Sequence, residues 1–284
     1  MKSVLGVALP ILLGGSIFAS CGKNPEVAST PEIIGGEVVA EDATDARRWS
    51  TVALTTDRAK EEGKPTLLSL GHSFCSGTII GQRLIVTAAH CIQALDPATR
   101  KKLDRLNLPE ERDFLVFFGT KVRADGKWIR AERAIAHPDW DVGSTLSPFP
   151  MAPGNDVGVI RLSEDIPEGY SPVEIAPEDA NLGQVAMLAG FGVTRSRNRN
   201  DTGVLRQVNA KLNSVNTKAK RIGVGSFGKG ACAGDSGGPL YVERGGHIEL
   251  AGATSTGAEI FGNCLGLINN YTDVRAYREW LMAF

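Results

Sequence analysis

Three segments of this chain carry residue types that can break an acyl bond: Thr87-Ala88-Ala89-His90-Cys91, Asn155-Asp156-Val157-Gly158-Val159-Ile160 and Gly234-Asp235-Ser236-Gly237-Gly238-Pro239. A neutral hydroxyl is a weak nucleophile, so Ser236 needs a base to take its proton during attack on a carbonyl. An imidazole titrates near neutral pH, and His90 can both take that proton and return it to a leaving amine. Each segment also has a plain structural reading. A histidine after alanines is commonly packed or on the surface, and an aspartate before an apolar strand is commonly a cap. The Gly-Asp-Ser-Gly-Gly run could be only a tight turn. A phosphate loop is excluded, because no Gly-Lys-Ser/Thr follows.

The elements that must position these residues are short. Among 284 residues there are 33 glycines and 14 prolines, which favour many turns and short strands over long helices. Strands are predicted at Thr78–Val86, Phe114–Phe118, Val157–Leu162, Val185–Ala189, Val204–Leu212 and Glu249–Thr254. Helices are predicted at Gln93–Leu108 and at Val274–Phe284, the latter with Val274, Tyr277 and Leu281 on one face. Ser163–Leu182, with prolines at 167, 172 and 177, reads as a connector between two β-rich halves. Such a pattern suggests a pair of antiparallel barrels or sandwiches.

Composition narrows the function class. With 42% hydrophobic and 22% charged residues the chain can bury a sizeable core. Lys+Arg at 31 against Asp+Glu at 32 leaves a net charge of -1, so the basic footprint of a nucleic-acid binder is missing. The basic runs Arg195–Arg199 and Lys218–Arg221 read as exposed turns.

The N-terminus reads as an export segment. Met1-Lys2 precedes a largely apolar run to Ala19, interrupted by glycines and shorter than the roughly 20 residues of a membrane span. Residues 1–20 are therefore read as a cleaved signal, with a retained anchor as the alternative. Phe18-Ala19-Ser20-Cys21 resembles the bacterial lipobox, in which the cysteine receives lipid; an ordinary signal that happens to end near a cysteine is the other reading. Residues 21–32 then form a linker. Five cysteines is an odd number for an exported chain, and lipid on Cys21 leaves Cys75, Cys91, Cys232 and Cys264. Four cysteines allow three pairings, and disulfides are the expectation in an oxidising compartment. None sits in a zinc-type cluster, so no metal or other cofactor is expected.

Together and in this order, the three segments resemble those of the chymotrypsin/trypsin family of serine endopeptidases. Ile33-Ile34-Gly35-Gly36 and Gly190-Phe191-Gly192 also match family landmarks, so the likeness runs from about Ile33 to Phe284. The resemblance implies an all-β fold of two antiparallel six-stranded β-barrels, about 33–165 and 180–284, with a C-terminal helix. It implies a catalytic triad of His90, Asp156 and Ser236, in which Asp156 holds the imidazole in one tautomer. The backbone N–H groups of Gly234 and Ser236 would form the oxyanion hole. Cys75 would pair with Cys91, and Cys232 with Cys264. Polypeptides would be the substrates of a monomeric, secreted or envelope-anchored enzyme. A non-catalytic homologue acting as a binding module is the alternative.

The resemblance also frames specificity and activation. Six residues before Ser236, where trypsin-like members keep an aspartate, stands Gly230, so a buried Lys or Arg of the substrate would lack a partner. Ser255 and Gly257 would line the pocket and Asn269 would reach its floor, or else lie in a surface turn. Cleavage before Ile33 would free an amine to pair with Asp235. Glu32 precedes that bond, where a trypsin-activated zymogen would carry Lys or Arg.

Overall fold

A computed structural model describes residues 33–40, 49–56, 75–93, 113–122, 126–141, 154–194, 202–260 and 263–284. The signal and lipid-bearing segment, the basic run Arg195–Arg199 and all of the predicted helix Gln93–Leu108 except Gln93 lie outside the described residues. All described residues belong to the unit Pro31–Phe284.

Short strands dominate, beginning with β1 (Glu37–Val38). The first barrel uses β2 (Thr51–Thr56), β3 (Cys75–Gly81), β4 (Leu84–Thr87), β5 (Phe114–Phe118), β6 (Lys127–Ala136) and β7 (Gly158–Leu162). Its closed order is β2-β3-β4-β7-β6-β5. β5 is a continuous apolar run with all five residues buried, whereas β6 alternates between core and water. Its centre holds Leu54, Ile79, Ile85, Phe114, Val116, Ile129 and Ile160.

The second barrel uses β8 (Val185–Gly190), β9 (Arg206–Asn216), β10 (Arg221–Val224), β11 (Pro239–Arg244), β12 (His247–Ile260) and β13 (Asn263–Asp273). The order β9-β10-β13-β12-β11-β8 returns to β9, and β1 adds to the outer side of β9. The two six-stranded antiparallel barrels expected from the resemblance are both present.

Two predicted elements differ in detail. Thr78–Val86 is not one strand but parts of the β3–β4 hairpin, turned at Gln82-Arg83. The near-continuous apolar residues on either side hide that turn. Arg83 marks it by donating Nε and Nη2 to the Leu162 carbonyl, at 2.9 and 2.7 Å. The C-terminal helix is also tighter at its start than the periodicity predicts. A 3-10 turn, Val274–Tyr277, leads into a single α turn, α2 (Arg278–Leu281), and Asp273 accepts from the Arg275 N–H at the cap. Val274, Tyr277 and Leu281 are nevertheless all buried on one side.

A further apolar cluster lies between the barrels. It joins Ala53, Val86, Phe117 and Val159 of the first to Ala189, Tyr241, Leu250 and Ala253 of the second. Thr51 Oγ1 and Tyr241 Oη lie 2.9 Å apart within it. Burial of this shared surface sets the relative position of the loops that both barrels send toward the cleft.

Candidate active site

His90 sits on the single helical turn α1 (Ala89–Ile92), which follows β4. A disulfide between Cys75 and Cys91 ties that turn to the start of β3. Asp156 lies just before β7, after Asn155, whose φ of 50° is in the left-handed region that asparagine tolerates better than most residues. The Asn155 side chain is fixed on both sides: Nδ2 donates to Asp139 O at 2.9 Å, and Oδ1 accepts from Tyr277 Oη at 2.8 Å.

These elements bring His90 and Asp156 together. The His90 Nδ1 is 2.9 Å from Asp156 Oδ2, and the His90 backbone N–H donates to Oδ1 at 3.0 Å. Ser255 Oγ donates to Oδ2 at 2.6 Å, and Thr272 Oγ1 donates to the Asp156 carbonyl at 2.8 Å. An ionised carboxylate only accepts, so Nδ1 carries the proton and Nε2 is the basic nitrogen of the neutral ring. Asp156 is fully buried, while the His90 side chain keeps 28% of its surface exposed.

Burial alone would push the His90 pKa down, but the charge and hydrogen bond of Asp156 outweigh it and hold it above 6.5. Burial would raise the Asp156 pKa, yet His90 and Ser255 together hold it below 3.8. The sign of each linkage follows. The raised histidine stabilises the fold at low pH, and that contribution is lost as pH rises through its folded pKa. The depressed aspartate stabilises the fold above 3.8, and that contribution is lost as pH falls through its folded pKa.

Ser236 lies in the loop between β10 and β11, and the disulfide Cys232–Cys264 ties this loop to β13. Gly234, at φ 96°, and Gly237, at φ 77°, take backbone conformations that side chains resist. A Cβ on Gly237 would also stand 2.0 Å from Thr87 Oγ1. Among the described residues neither the Gly234 nor the Ser236 N–H has an acceptor, so both remain free to bind one.

One residue that sequence reading misses, Ser76 of β3, holds this loop against the first barrel. Its N–H donates to Ser236 O at 2.8 Å, and its Oγ donates to Gly234 O at 3.0 Å while accepting from Phe191 N–H at 3.0 Å. Cys91 Sγ is 3.7 Å from the same Ser236 carbonyl, which sets the serine backbone beside the His90 turn. Ser76 is fully buried. Ser76→Ala is therefore expected to cost about 1 to 3 kcal/mol, because it strands the buried Phe191 amide and removes a donor from the half-buried Gly234 carbonyl. A lower urea midpoint at unchanged m-value checks this, and an unshifted midpoint contradicts it.

Asp235 points away from the cleft into a bed made by Gly190 and Gly192, where a Cβ would come within 2.2 Å of Oδ1 or 2.6 Å of Cγ. The Gly192 and Cys232 N–H groups donate to its two oxygens at 2.8 and 2.9 Å. Burial pushes its pKa up to about 6, against the pull of those amides and the Arg206 charge. Ile33, fully buried at φ 58°, packs in the second barrel's core, and Gly230 N–H donates to Ile34 O at 3.1 Å.

A cavity of about 140 Å³ opens beside Ser236, and Ser255 and Gly257 line it as expected of pocket residues. Gly230 and Asn269 do not line it; they lie against each other behind its wall. Asn269 is fully buried and not in a surface turn. Cys75, His90 and Cys91 cluster as metal ligands would, but the cysteines are bonded to each other and offer no thiolate.

The geometry can be set beside known proteins. The family model described as Trypsin matches residues 51–281. The chain is 28% identical over 239 residues to CLIP domain-containing serine protease B15 of Anopheles gambiae, covering 73% of this chain and 60% of that protein. It is 24% identical over 237 residues to trypsin epsilon of Drosophila erecta, covering 76% and 79%. With chymotrypsin-like elastase family member 1 of Bos taurus it shares 26% identity over 227 residues, covering 73% and 77%. The chain spans only 60% and 54% of the length of the two Anopheles proteases B15 and B9.

Proposed function

Because the chain belongs to the trypsin family, we propose that it is a serine endopeptidase that works through His90, Asp156 and Ser236. The observation that carries this reading is the imidazole held by a buried, doubly hydrogen-bonded carboxylate, next to a serine loop with two uncommitted amide donors. His90 Nε2 takes the proton from Ser236 Oγ as the oxygen bonds to the peptide carbonyl carbon. The oxyanion is stabilised by the Gly234 and Ser236 N–H groups. Nε2 then gives its proton to the leaving amine, and water, deprotonated by the same nitrogen, releases the acid and frees Ser236.

A fluorophosphonate probe tests this directly, since it bonds only to an activated serine. Labelling at Ser236, in the full chain or after cleavage following Glu32, supports the enzyme; a folded chain that stays unlabelled in both forms instead makes it a non-catalytic binding module.

The pH profile supplies a second check. The base must be neutral to act, and His90 is held above 6.5 by its aspartate. The acid limb of kcat/KM is therefore expected to have its midpoint above pH 6.5, and a midpoint below that value contradicts the His90–Asp156 coupling.

The wider reading concerns location and activation. The enzyme is exported, as a bacterial-type lipoprotein anchored through Cys21, and it cleaves poorly after Lys or Arg because position 230 has no carboxylate. Cleavage after Glu32 frees the Ile33 amine to pair with Asp235 and separates the protease, residues 33–284, from its anchor. The support is the buried carboxylate of Asp235, whose ionised form gains from a nearby cation, and the docking of Ile34 on Gly230. N-terminal sequencing of active material decides between the cut and uncut forms.

A further inference from the structure

We propose that Tyr277 is a positioning residue of Asp156: its hydroxyl acts through Asn155 to set the carboxylate against His90, and a stack of aromatic rings from the C-terminal segment holds the hydroxyl in place. The proposal rests on the proteolytic reading above and extends it to a residue outside the triad.

A carboxylate on a one-carbon side chain points where its main chain aims it, and both chain neighbours of Asp156 are held by one cluster. On one side, the His137 N–H donates to Val157 O at 2.9 Å. On the other, Asn155 Nδ2 donates to Asp139 O at 2.9 Å, and Asn155 Oδ1 accepts from Tyr277 Oη at 2.8 Å. Residues 137 to 140 form a turn of their own: the Trp140 N–H donates to His137 O at 3.0 Å, and the Asp139 N–H donates to His137 Nδ1 at 3.2 Å. Asp156 thus sits in a frame made by that turn, the Asn155 amide and the Tyr277 hydroxyl. The frame works against a backbone preference, because Asn155 at φ 50° stands in a region that side-chain-bearing residues enter at a cost. Its two side-chain bonds oppose relaxation of the turn, and the Tyr277 bond is the one that comes from the other end of the chain.

The hydroxyl is held by what surrounds its ring. Tyr277 is buried, and the His137 ring meets it edge to face with centroids 5.2 Å apart. Trp280 lies 4.8 Å from His137, and Phe284 lies 5.2 Å from Trp280, so the stack runs to the last residue. Lys220 Nζ stands 4.5 Å from the Tyr277 ring centroid. Burial holds the His137 pKa below 6.5, aided by Lys220 and opposed by Asp139, so the neutral ring keeps Nδ1 as the acceptor of the Asp139 N–H. Burial also pushes the Tyr277 pKa up to about 12, so its oxygen keeps the proton that it donates to Asn155. Packing accounts for an aromatic ring at this position but not for the hydroxyl, since a phenylalanine would fill the same space.

The test compares the wild type with Tyr277→Phe, Asn155→Gly and the double variant, each as the full chain before and after incubation with a glutamate-specific protease. Tyr277→Phe keeps the ring and removes only the hydroxyl. Asn155→Gly accepts the left-handed backbone and removes both side-chain bonds. In Tyr277→Phe, kcat per fluorophosphonate-labelled site is expected to fall about tenfold with KM unchanged, since a small displacement of a catalytic group costs factors of this order. Asn155→Gly is expected to lose at least as much, and the double variant no more than Asn155→Gly alone, because the hydroxyl acts through that amide. The low-field proton NMR signal of His90 Nδ1 is expected to move in every variant. A lower thermal midpoint with kcat and that signal unchanged makes the role merely structural and overturns the proposal, as does a double variant in which the two losses multiply. A wild type that takes no label in either form overturns the proteolytic reading alone; the His90 signal needs no turnover and then decides the placement of Asp156 by itself.

Discussion

Ser236→Ala is expected to lower peptide hydrolysis by about 10⁶-fold and to abolish fluorophosphonate labelling, with the thermal midpoint almost unchanged. The variant keeps the Ser236 carbonyl that Ser76 holds and the backbone N–H that faces the cleft. Only the hydroxyl is removed, and no described hydrogen bond depends on it. The loss is therefore chemical and not architectural. Residual turnover within tenfold of wild type would show that another group attacks the substrate.

Asp156→Asn is expected to cost about 10⁴-fold in kcat, for a reason visible in the hydrogen bonds. The carboxylate accepts on both oxygens: Oδ1 from the His90 backbone N–H, and Oδ2 from His90 Nδ1 and Ser255 Oγ. An amide has one accepting oxygen. The backbone N–H cannot reverse its polarity, so the oxygen must face it and the NH₂ must face Nδ1. The ring then has to accept at Nδ1 and carry its proton on Nε2, where it can no longer take one from Ser236. Proton NMR of the imidazole in the variant should report this exchange of tautomer. A variant with near-normal kcat would mean that His90 is oriented by something other than this carboxylate.

How far the sequence reveals these features depends on whether their cause is local. β5 forms at its predicted bounds, Phe114–Phe118, where a short apolar run is buried on both faces of the strand. The β3–β4 turn was not legible, since Gln82-Arg83 carries no glycine, proline or asparagine and its anchor is the distant Leu162 carbonyl. The strands β1, β2, β6, β10, β11 and β13 were not predicted. β6 mixes charged residues with alanines and takes its strand form from pairing with β5 and β7, whereas β2, Thr51–Thr56, is rich in β-branched residues and was missed although its composition signals a strand. The pairings Cys75–Cys91 and Cys232–Cys264 follow from the resemblance, not from spacing, and both are formed.

At the candidate site, His90, Asp156 and Ser236 were singled out by the resemblance of their three segments, and the structure brings His90 and Asp156 together. Their supports were not legible. Ser76 reaches Gly234 across 158 residues, Thr272 reaches Asp156 across 116, and Tyr277 reaches Asn155 across 122. No short motif encodes such contacts; they exist only once both barrels have closed and packed.

The grip of Ser76 on the loop of the opposite barrel has a bearing on modular exchange. The carbonyls of Gly234 and Ser236, one on each side of Asp235, are both held by one residue from the other half of the molecule. A second half grafted onto a foreign first half would bring its nucleophile and still find a main-chain N–H for the Ser236 carbonyl, but without a serine at position 76 the Gly234 carbonyl would lose its hydroxyl donor. Chimaeras of this protein would thus have to carry position 76 along with the serine loop, as if the two were neighbours in the chain.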